Sequence, residues 1–284
     1  MKFGDFEISI IRESTFKLDG GAMFGVVPKA LWANVASADA ANRVELSCNL
    51  LFIQTPNGNV LIETGMGPRW SEKERARYDL KTLIDHNNVL ESIGLSNTDV
   101  SAVVLSHLHF DHVGGACVDR DGKLSPTFPK AKYYTQKGEL EFAYKANARA
   151  QASYREADFK TLLDNNMLIA LEGDHEILPG IKVHVSGGHT SHHQIITFES
   201  NGNHGVYFGD IIPTQSHLPP PWVMGYDHYP LETCDIKSRW LATAANKNWL
   251  VVFDHEPGVP WGHVQAERSK FIWKPFARDS LAVV

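Results

Sequence analysis

The chain has 284 residues, with 27 Lys and Arg against 33 Asp and Glu, which gives a formal net charge of −6. A nucleic-acid-binding surface normally carries clustered basic residues, so this acidic balance predicts a protein without a nucleic-acid partner. Hydrophobic residues make up 43% of the chain, which is enough for a sizeable core. Because no linker divides the chain, we predict one domain over 1–284.

The amino-terminal residues include Asp5 and Glu7 and contain no apolar segment of the kind that begins a secretory signal. No run approaches the roughly 18 apolar residues of a membrane span. We therefore predict a cytoplasmic protein with no membrane contact. The three cysteines are widely spaced, so neither a disulfide framework nor a cysteine metal site is expected.

Apolar and alternating runs predict the secondary structure in chain order. Strands are expected at 7–12, 49–55 and 59–63, with the Pro-Asn-Gly sequence at 56–58 as a hairpin turn. A charged helix is expected at 70–93, then strands at 101–106 and 131–135 and helices at 137–151 and 157–165. The remaining predictions are strands at 181–186, 194–199, 205–208 and 249–254, and a helix at 231–246.

The residues at 107–112 spell His-Leu-His-Phe-Asp-His and directly follow the predicted strand at 101–106. Histidine and aspartate are rarely buried together without a partner that satisfies them, and a metal ion is such a partner. In an extended backbone His107 and His109 can point to one position, while Asp111 and His112 turn toward another. The spacing therefore suggests two metal ions.

Three further predicted strands end in potential ligands. The strand at 181–186 leads through Gly187 and Gly188 to His189, the one at 205–208 leads to Asp210, and the one at 249–254 leads to His255. Strands hold the backbone rigid, and the loops after them orient the ligand side chains, which is a common way to build a precise site. These three residues are therefore further candidate ligands.

Taken together, these motifs resemble the five-motif signature of the metallo-β-lactamase superfamily, and the match extends over most of the chain. The first motif of that family, Asp-Thr-Gly, has Glu63 in place of its aspartate here. Two other stretches, at 18–32 and 219–230, resemble the YtnP-type branch of quorum-quenching lactonases. The resemblance thus indicates this branch of the family.

The order of the predicted elements gives two similar halves, each with several strands followed by a helix. Two mixed sheets packed face to face with helices outside would bury the apolar runs and bring the ligand-bearing strand ends to one edge. The resemblance implies the same α/β fold, a four-layer αββα sandwich. We therefore predict this fold.

Carried over residue by residue, the resemblance implies two cation sites. One has His107, His109 and His189, the other has Asp111, His112 and His255, and Asp210 bridges them. Imidazole and carboxylate ligands suit divalent zinc, which we expect, as well as iron, manganese and cobalt. Glu63 is expected to hydrogen-bond a ligand imidazole.

Two cations acting on one water lower its pKa toward neutrality, so we predict a hydrolase in which a bridging hydroxide attacks a carbonyl. The leaving oxygen still needs a proton, which either Asp210 or a metal-bound water would supply. Tyr226 is a candidate for stabilising the oxyanion, with a packed aromatic side chain as the alternative.

Apolar side chains at Met23, Phe24, Trp222 and Met224 are candidates for a substrate-binding wall suited to an acyl chain, or else for a hydrophobic plug. An apolar wall favours a small neutral ester or lactone over a phosphodiester, and the branch resemblance implies an acyl-homoserine lactone. The alternatives are another hydrolase of the same fold, namely a glyoxalase II-like thioesterase, an esterase, a β-lactamase or a phosphoesterase, and a non-catalytic or redox member. Oligomeric state is left open, with a homodimer as one arrangement.

Overall fold

The computed structural model describes residues 1–268 and 270–277. Its strands, in chain order, are β1 (Lys2–Phe3), β2 (Phe6–Asp19), β3 (Arg43–Thr55), β4 (Gly58–Ile62), β5 (Lys81–Thr82), β6 (Ala102–Val104), β7 (Cys117–Arg120), β8 (Lys123–Pro126), β9 (Lys132–Gln136), β10 (Leu168–Leu171), β11 (His175–Leu178), β12 (Ile181–Val185), β13 (Gln194–Ser200), β14 (Asn203–Tyr207), β15 (Leu250–Val252), β16 (Trp261–Glu267) and β17 (Lys270–Pro275). Its α-helices are α1 (Gly20–Phe24), α2 (Lys29–Trp32), α3 (Glu72–Tyr78), α4 (Phe110–Val113), α5 (Lys137–Tyr144), α6 (Glu156–Asp164) and α7 (Pro230–Asn246).

Two large mixed sheets organise the described part of the chain. The first has the strand order β1-β2-β3-β4-β6-β9-β10, with β5 added against β2, and the second has the order β11 to β17 in sequence. In the first sheet β4, β6, β9 and β10 pair in parallel, and in the second β14 and β15 do so. Strands β7 and β8 form a separate hairpin.

Side-chain alternation along the strands separates three apolar layers. In β6, Val104 points into the core between the sheets while Val103 points to the outer face. In β15, Val252 belongs to the same inner core and Val251 to the opposite outer face. Because successive side chains of a strand point to opposite faces, each sheet can bury both of its faces.

Helices cover the two outer faces. Phe159 and Leu162 of α6 pack on the first sheet, whereas Ile236 and Leu241 of α7 pack on the second. The layers are therefore helix, sheet, sheet and helix, and the predicted αββα sandwich is confirmed. The hairpin at 56–58 is also confirmed, since Thr55 pairs directly with Gly58.

The prediction of a helix over 70–93 is wrong. Helix α3 begins with Ser71 as its cap, in a capping box with Glu74, and ends after seven residues. Asp79 adopts the left-handed conformation with φ of 47°, which stops the helix. The next residues then pair with β2 as β5, so strand pairing replaces helix propensity here.

The helix predicted at 137–151 is also too long. Helix α5 ends at Tyr144, and the Asn147 side chain then accepts hydrogen bonds from the backbone N–H groups of Arg149 and Ala150. Such a side-chain turn competes with helix continuation. Within the described residues, no helix has both the length and the hydropathy needed to cross a bilayer.

Candidate metal centre

The predicted ligands meet at one edge of the sandwich. The His107–His112 segment follows β6, His189 follows β12, Asp210 follows β14, and His255 follows β15. The parallel pairing of β14 with β15 brings Asp210 and His255 to the same side of the second sheet. Gly209 has a φ of 53°, and a β-carbon there would lie 2.7 Å from Nε2 of His193, so the turn into Asp210 needs glycine.

A first set of ligand atoms gathers around His189. Its Nε2 atom lies 3.1 Å from Nδ1 of His109 and 3.0 Å from Oδ2 of Asp210, and Nε2 of His107 lies 4.0 Å from the same Asp210 oxygen. The ligand atoms of these four residues all lie within 4.8 Å of one another. Three imidazoles and one carboxylate oxygen therefore face one point.

A second set faces the other oxygen of Asp210. Nε2 of His255 lies 3.1 Å from Oδ1 of Asp210 and 3.3 Å from Nε2 of His112, and Nε2 of His112 lies 3.6 Å from the same Asp210 oxygen. The residues whose ligand atoms all lie within 4.8 Å of one another are His112, Asp210, Asp254 and His255. Asp210 thus belongs to both sets, as a bridging carboxylate requires.

The structure differs from the predicted second set at Asp111. Its Oδ1 lies 3.8 Å from Nε2 of His112 and its Oδ2 lies 3.7 Å from Nε2 of His255, but the residue is not among the mutually closest four. Asp254, which was not predicted, is among them. Its Oδ2 lies 3.9 Å from Nδ1 of His112 and 3.7 Å from Nε2 of His255.

These donors fit divalent cations. Nε2 of His107 and Oδ1 of Asp210 are buried and have no hydrogen-bond partner among the described residues. Buried polar atoms are normally satisfied, and imidazole with carboxylate is a donor set that binds zinc, iron, manganese and cobalt. The fold and these clusters thus indicate divalent metal ions, whose identity the ligand types leave open.

Electrostatics act in both directions within the first set. Burial would lower the pKa of His189, but Asp210 and Asp227 raise it above its usual value, so a cation must displace a proton from this ring. Burial, with the neighbouring His112 and His109, holds the pKa of His107 well below its usual value, which keeps the imidazole neutral. Burial alone would raise the pKa of Asp210, but the adjacent His189, His112 and His255 bring it well below the usual range. A neutral imidazole and an ionised carboxylate are the forms that bind metals.

Hydrogen bonds orient two of the imidazoles. Nδ1 of His189 lies 2.8 Å from Oδ1 of Asp227, and Nδ1 of His255 donates to the Ser47 carbonyl oxygen at 2.9 Å. In both rings the other nitrogen then faces Asp210, which fixes the tautomer that binds a cation.

Glu63 lies beside the ligand His112, as expected, but the predicted hydrogen bond to the imidazole is not formed. It accepts a hydrogen bond from the Ser106 backbone N–H at 2.8 Å, and its Oε1 lies 3.6 Å from Nδ1 of His112. The carboxylate therefore joins the start of the His107–His112 segment to the end of β4.

A cavity of about 360 Å³ opens over the two sets. Its wall is mostly apolar, and the ligand residues His109, Asp111, His189, Asp210 and His255 line its floor. The other lining residues are Leu18, Met23, Leu46, Tyr78, Phe110, Arg149, Ala150, Ala152, Ser153, Met224, Gly225, Tyr226 and His228. A larger cavity of about 590 Å³ lies beside it, but none of these ligand residues lines that one.

The predicted substrate residues divide into two groups. Met23 and Met224 line the cavity over the ligands, as does Tyr226, the residue predicted to stabilise the oxyanion. Phe24 and Trp222 do not line it, because the Phe24 ring is stacked 4.8 Å from His217 and meets Trp222 edge-on at 5.9 Å. These two residues support the wall from behind, which agrees with the alternative of a hydrophobic plug.

Sequence reasoning missed several residues around the cavity. Asp227 lies inside the 219–230 stretch that the resemblance singled out, so its position was a usable signal. No local sequence signal marked Arg149, because it lies far from the other site residues in sequence and meets them only in the folded chain. Its Nη2 donates to the carbonyl oxygens of Gly225 at 2.7 Å and Asp227 at 3.3 Å, which places the guanidinium at the cavity wall.

Comparison with known proteins shows the family and the fold of this chain. The sequence model of the metallo-β-lactamase superfamily matches residues 43–269. A solved structure of a probable metal-dependent hydrolase from Staphylococcus aureus is 32% identical, with a TM-score of 0.90 over 98% of this chain and 99% of that one. The dizinc quorum-quenching lactonase AidC, solved with a product, has a TM-score of 0.80 over 98% of this chain and 96% of that one. At 21% identity this second match supports the fold alone.

Among curated proteins, an N-acyl homoserine lactonase of Bacillus cereus is 26% identical over 171 residues. The alignment covers 56% of this chain and 61% of that protein. The chain therefore spans about three fifths of the length of the curated lactonase it matches.

Proposed function

The chain belongs to the metallo-β-lactamase superfamily, a family of metal-dependent hydrolases, and from that premise we propose that it is a dinuclear lactonase acting on N-acyl homoserine lactones. One observation carries the proposal. The two carboxylate oxygens of Asp210 face two separate histidine sets at the floor of a largely apolar cavity. The similarity to a curated N-acyl homoserine lactonase supports the substrate class.

In this proposal each set holds one divalent cation, with zinc as the expected metal. His107, His109 and His189 form one site, and Asp111, His112 and His255 form the other, with Asp210 between them. Two such cations supply Lewis acidity to a carbonyl oxygen and lower the pKa of a shared water toward neutrality.

We assign Asp111, and not Asp254, to the second site for a geometric reason. Nε2 of His112 faces Asp210, and Asp111 lies on that side of the ring, 3.8 Å from the same nitrogen. Both carboxylates lie 3.7 Å from Nε2 of His255, so His112 decides between them, and Asp254 approaches its Nδ1, the nitrogen on the far side. Asp254 therefore supports the imidazole from behind, as Glu63 does.

The side chains at the cavity can complete the hydrolysis. Water adds to the lactone carbonyl carbon, the ring carbon–oxygen bond breaks, and the ring oxygen must gain a proton. Both oxygens of Asp210 face the histidine sets, so we assign this proton transfer to Asp111, which also lines the cavity and would take a proton from the water and return it to that oxygen. The product is a hydroxy acid. Its new carboxyl group ionises at neutral pH and so releases one proton to the solvent.

Tyr226 is proposed to stabilise the oxyanion. It lines the cavity, and burial raises the pKa of its phenol, so the hydroxyl keeps its proton and can donate it in a hydrogen bond. A donor aimed at developing negative charge lowers the barrier because that charge is larger in the transition state.

The cavity wall fits a neutral acyl substrate. Met23, Leu46 and Met224 provide flexible and apolar contact for an acyl chain. Arg149, held by the Gly225 carbonyl oxygen, is proposed to donate to the amide oxygen of the acyl group. These residues favour a lactone over a phosphodiester, whose charge calls for several cationic side chains.

A substrate panel tests the proposal. Zinc-loaded protein is assayed by proton release against hexanoyl and decanoyl homoserine lactones, a thioester, a β-lactam and a phosphodiester. We expect ring opening of the lactones at higher kcat/KM than any other substrate. Intact lactones beside a cleaved thioester or phosphodiester would replace lactonase with that activity.

A further inference from the structure

A fully buried carboxylate outside both ligand sets bonds to the segments that carry the first set. Glu139 lies on α5 with no exposed surface. Its Oε1 accepts from the Leu108 backbone N–H at 3.2 Å and from the Tyr154 hydroxyl at 2.9 Å, and its Oε2 accepts from the Thr190 hydroxyl at 2.6 Å. Three donors therefore meet one group that can only accept when ionised.

Each donor belongs to a segment that forms the site. Leu108 separates the ligands His107 and His109, and Thr190 directly follows the ligand His189. The Tyr154 ring lies edge-on against His109, with their ring centroids 4.8 Å apart. One side chain thus links the backbone or ring neighbours of all three histidines in the first set.

Other residues contact the histidines of the second set. His112 is approached by Glu63 and Asp254, and His255 donates to the Ser47 carbonyl oxygen. Glu139 bonds to the 107–112 segment only at Leu108, between two first-set ligands, and among the described residues its hydrogen bonds reach neither 111–112 nor 254–255. Its contacts are therefore specific to one of the two cation sites.

We propose that Glu139 is a positioning residue for the first cation site, holding His109 and His189 at their 3.1 Å separation so that this site binds its ion tightly. The inference rests on the dinuclear part of the proposed function. Loss of the carboxylate leaves two buried hydroxyls and a buried N–H without partners, and moving the loops toward water is the way to satisfy them. That movement separates the histidines and weakens one site selectively.

The test measures zinc binding by the whole metal-free chain, in competition with a chelating dye. Substituting supporting residues typically costs 10–100-fold in metal affinity. We expect Glu139→Leu to weaken one of two zinc ions by about 10-fold or more, with the other changed by less than about 3-fold. Two unchanged affinities, or an equal loss at both sites, would overturn the inference.

The Gln variant provides a rescue test. In Glu139→Gln the amide oxygen can accept from Leu108 and Tyr154, while its NH2 donates to the Thr190 hydroxyl, which can rotate to accept. Both zinc affinities should then stay within about 3-fold of wild type. If this variant lost zinc as fully as Glu139→Leu, the negative charge and not the hydrogen-bond geometry would matter, and positioning would be wrong.

Asp158→Leu is a matched control. Asp158 is also a fully buried carboxylate in the same helical layer, but it pairs with Arg69 and Arg155 and bonds to no ligand segment. Its replacement should lower the melting temperature and leave both zinc affinities unchanged. A selective loss of one ion in this control would mean that any buried charge change has the same effect.

Two milder variants keep the test decisive if Glu139→Leu fails to fold. Thr190→Val and Tyr154→Phe each remove one donor, and each should weaken the same single ion by several-fold. Unchanged binding in both would overturn the inference. Failure of the wild-type chain to bind two ions would instead overturn the proposed function, so the two failures are distinguishable.

Discussion

Nδ1 of His189 and Oδ1 of Asp227 lie 2.8 Å apart, and the other oxygen of Asp227 accepts from the Met224 backbone N–H at 3.1 Å. Met224 lines the cavity, so this one carboxylate connects a proposed metal ligand to the proposed substrate wall. The loop after the bridging aspartate therefore serves both halves of the site.

Asp227→Ala should weaken zinc binding at the His189 site by about 10–100-fold, because the imidazole loses the partner that fixes its orientation. Competition with a chelating dye measures this. Asp235→Ala, on the nearby helix α7, is a suitable control because none of the hydrogen bonds described for the site involves it. Equal zinc affinity in Asp227→Ala and wild type would contradict the orienting role.

Asp210→Asn should lower kcat by orders of magnitude and reduce bound metal below two ions per chain, since one oxygen of the bridge is replaced by an amide nitrogen that cannot bind a cation. His263→Asn is the control, because His263 bonds to the Trp249 carbonyl oxygen and does not line the cavity. Near wild-type turnover with two ions in Asp210→Asn would exclude the bridging role.

Tyr226→Phe should lower kcat for ring opening by about 100-fold, the usual size of the loss of an oxyanion donor, with little change in KM. Tyr229→Phe, in the same loop but exposed, is the control. An unchanged kcat in Tyr226→Phe would show that the ring only packs against the wall.

Met23→Ala and Phe24→Ala should have different effects, although the residues are adjacent. Met23 lines the cavity, so its truncation should raise KM more for decanoyl than for hexanoyl homoserine lactone. Phe24 is stacked on Trp32 and His217, so its truncation should mainly cost about 3–5 kcal/mol of unfolding free energy. A chain-length effect confined to Phe24→Ala would reverse this assignment.

Lys237 predicts a pH dependence of stability. Its Nζ donates to the Trp222 carbonyl oxygen at 2.6 Å, and burial lowers its pKa from 10.5 to about 7. The unfolded chain then binds more protons between these two values, so stability should rise with pH, by about 2 kcal/mol between pH 7 and 9. Chemical unfolding of wild type and Lys237→Met at several pH values measures the free energy of unfolding. The same dependence of that free energy on pH in both proteins would contradict the prediction.

Much of the fold follows from local sequence. The strands around 49–62 and 181–207 alternate or are uniformly apolar, and the structure has their bounds within two residues, except that β3 begins at Arg43 and not at 49. The helix predicted at 70–93 failed because Asp79 adopts a left-handed conformation and Lys81 pairs with Thr15 of β2. That pairing partner lies far away in sequence, so no local pattern reports it.

The residues of the site also divide into those that local sequence predicts and those that it does not. Ligands at strand ends are visible as motifs, because a strand followed by His or Asp is a local pattern. Asp227 meets His189 across 38 residues, Glu139 meets Leu108 across 31, and Arg149 meets Gly225 across 76. Their roles depend on how the loops fold back over the sheet edge, which periodicity does not encode.

The most direct measurement of the central claim is the initial rate of hexanoyl homoserine lactone opening as zinc is added back to metal-free protein. The account predicts that the rate rises until two ions are bound per chain and then stays constant, since both histidine sets and the shared Asp210 are needed. A plateau at one ion per chain, or no ring opening at two, would contradict it.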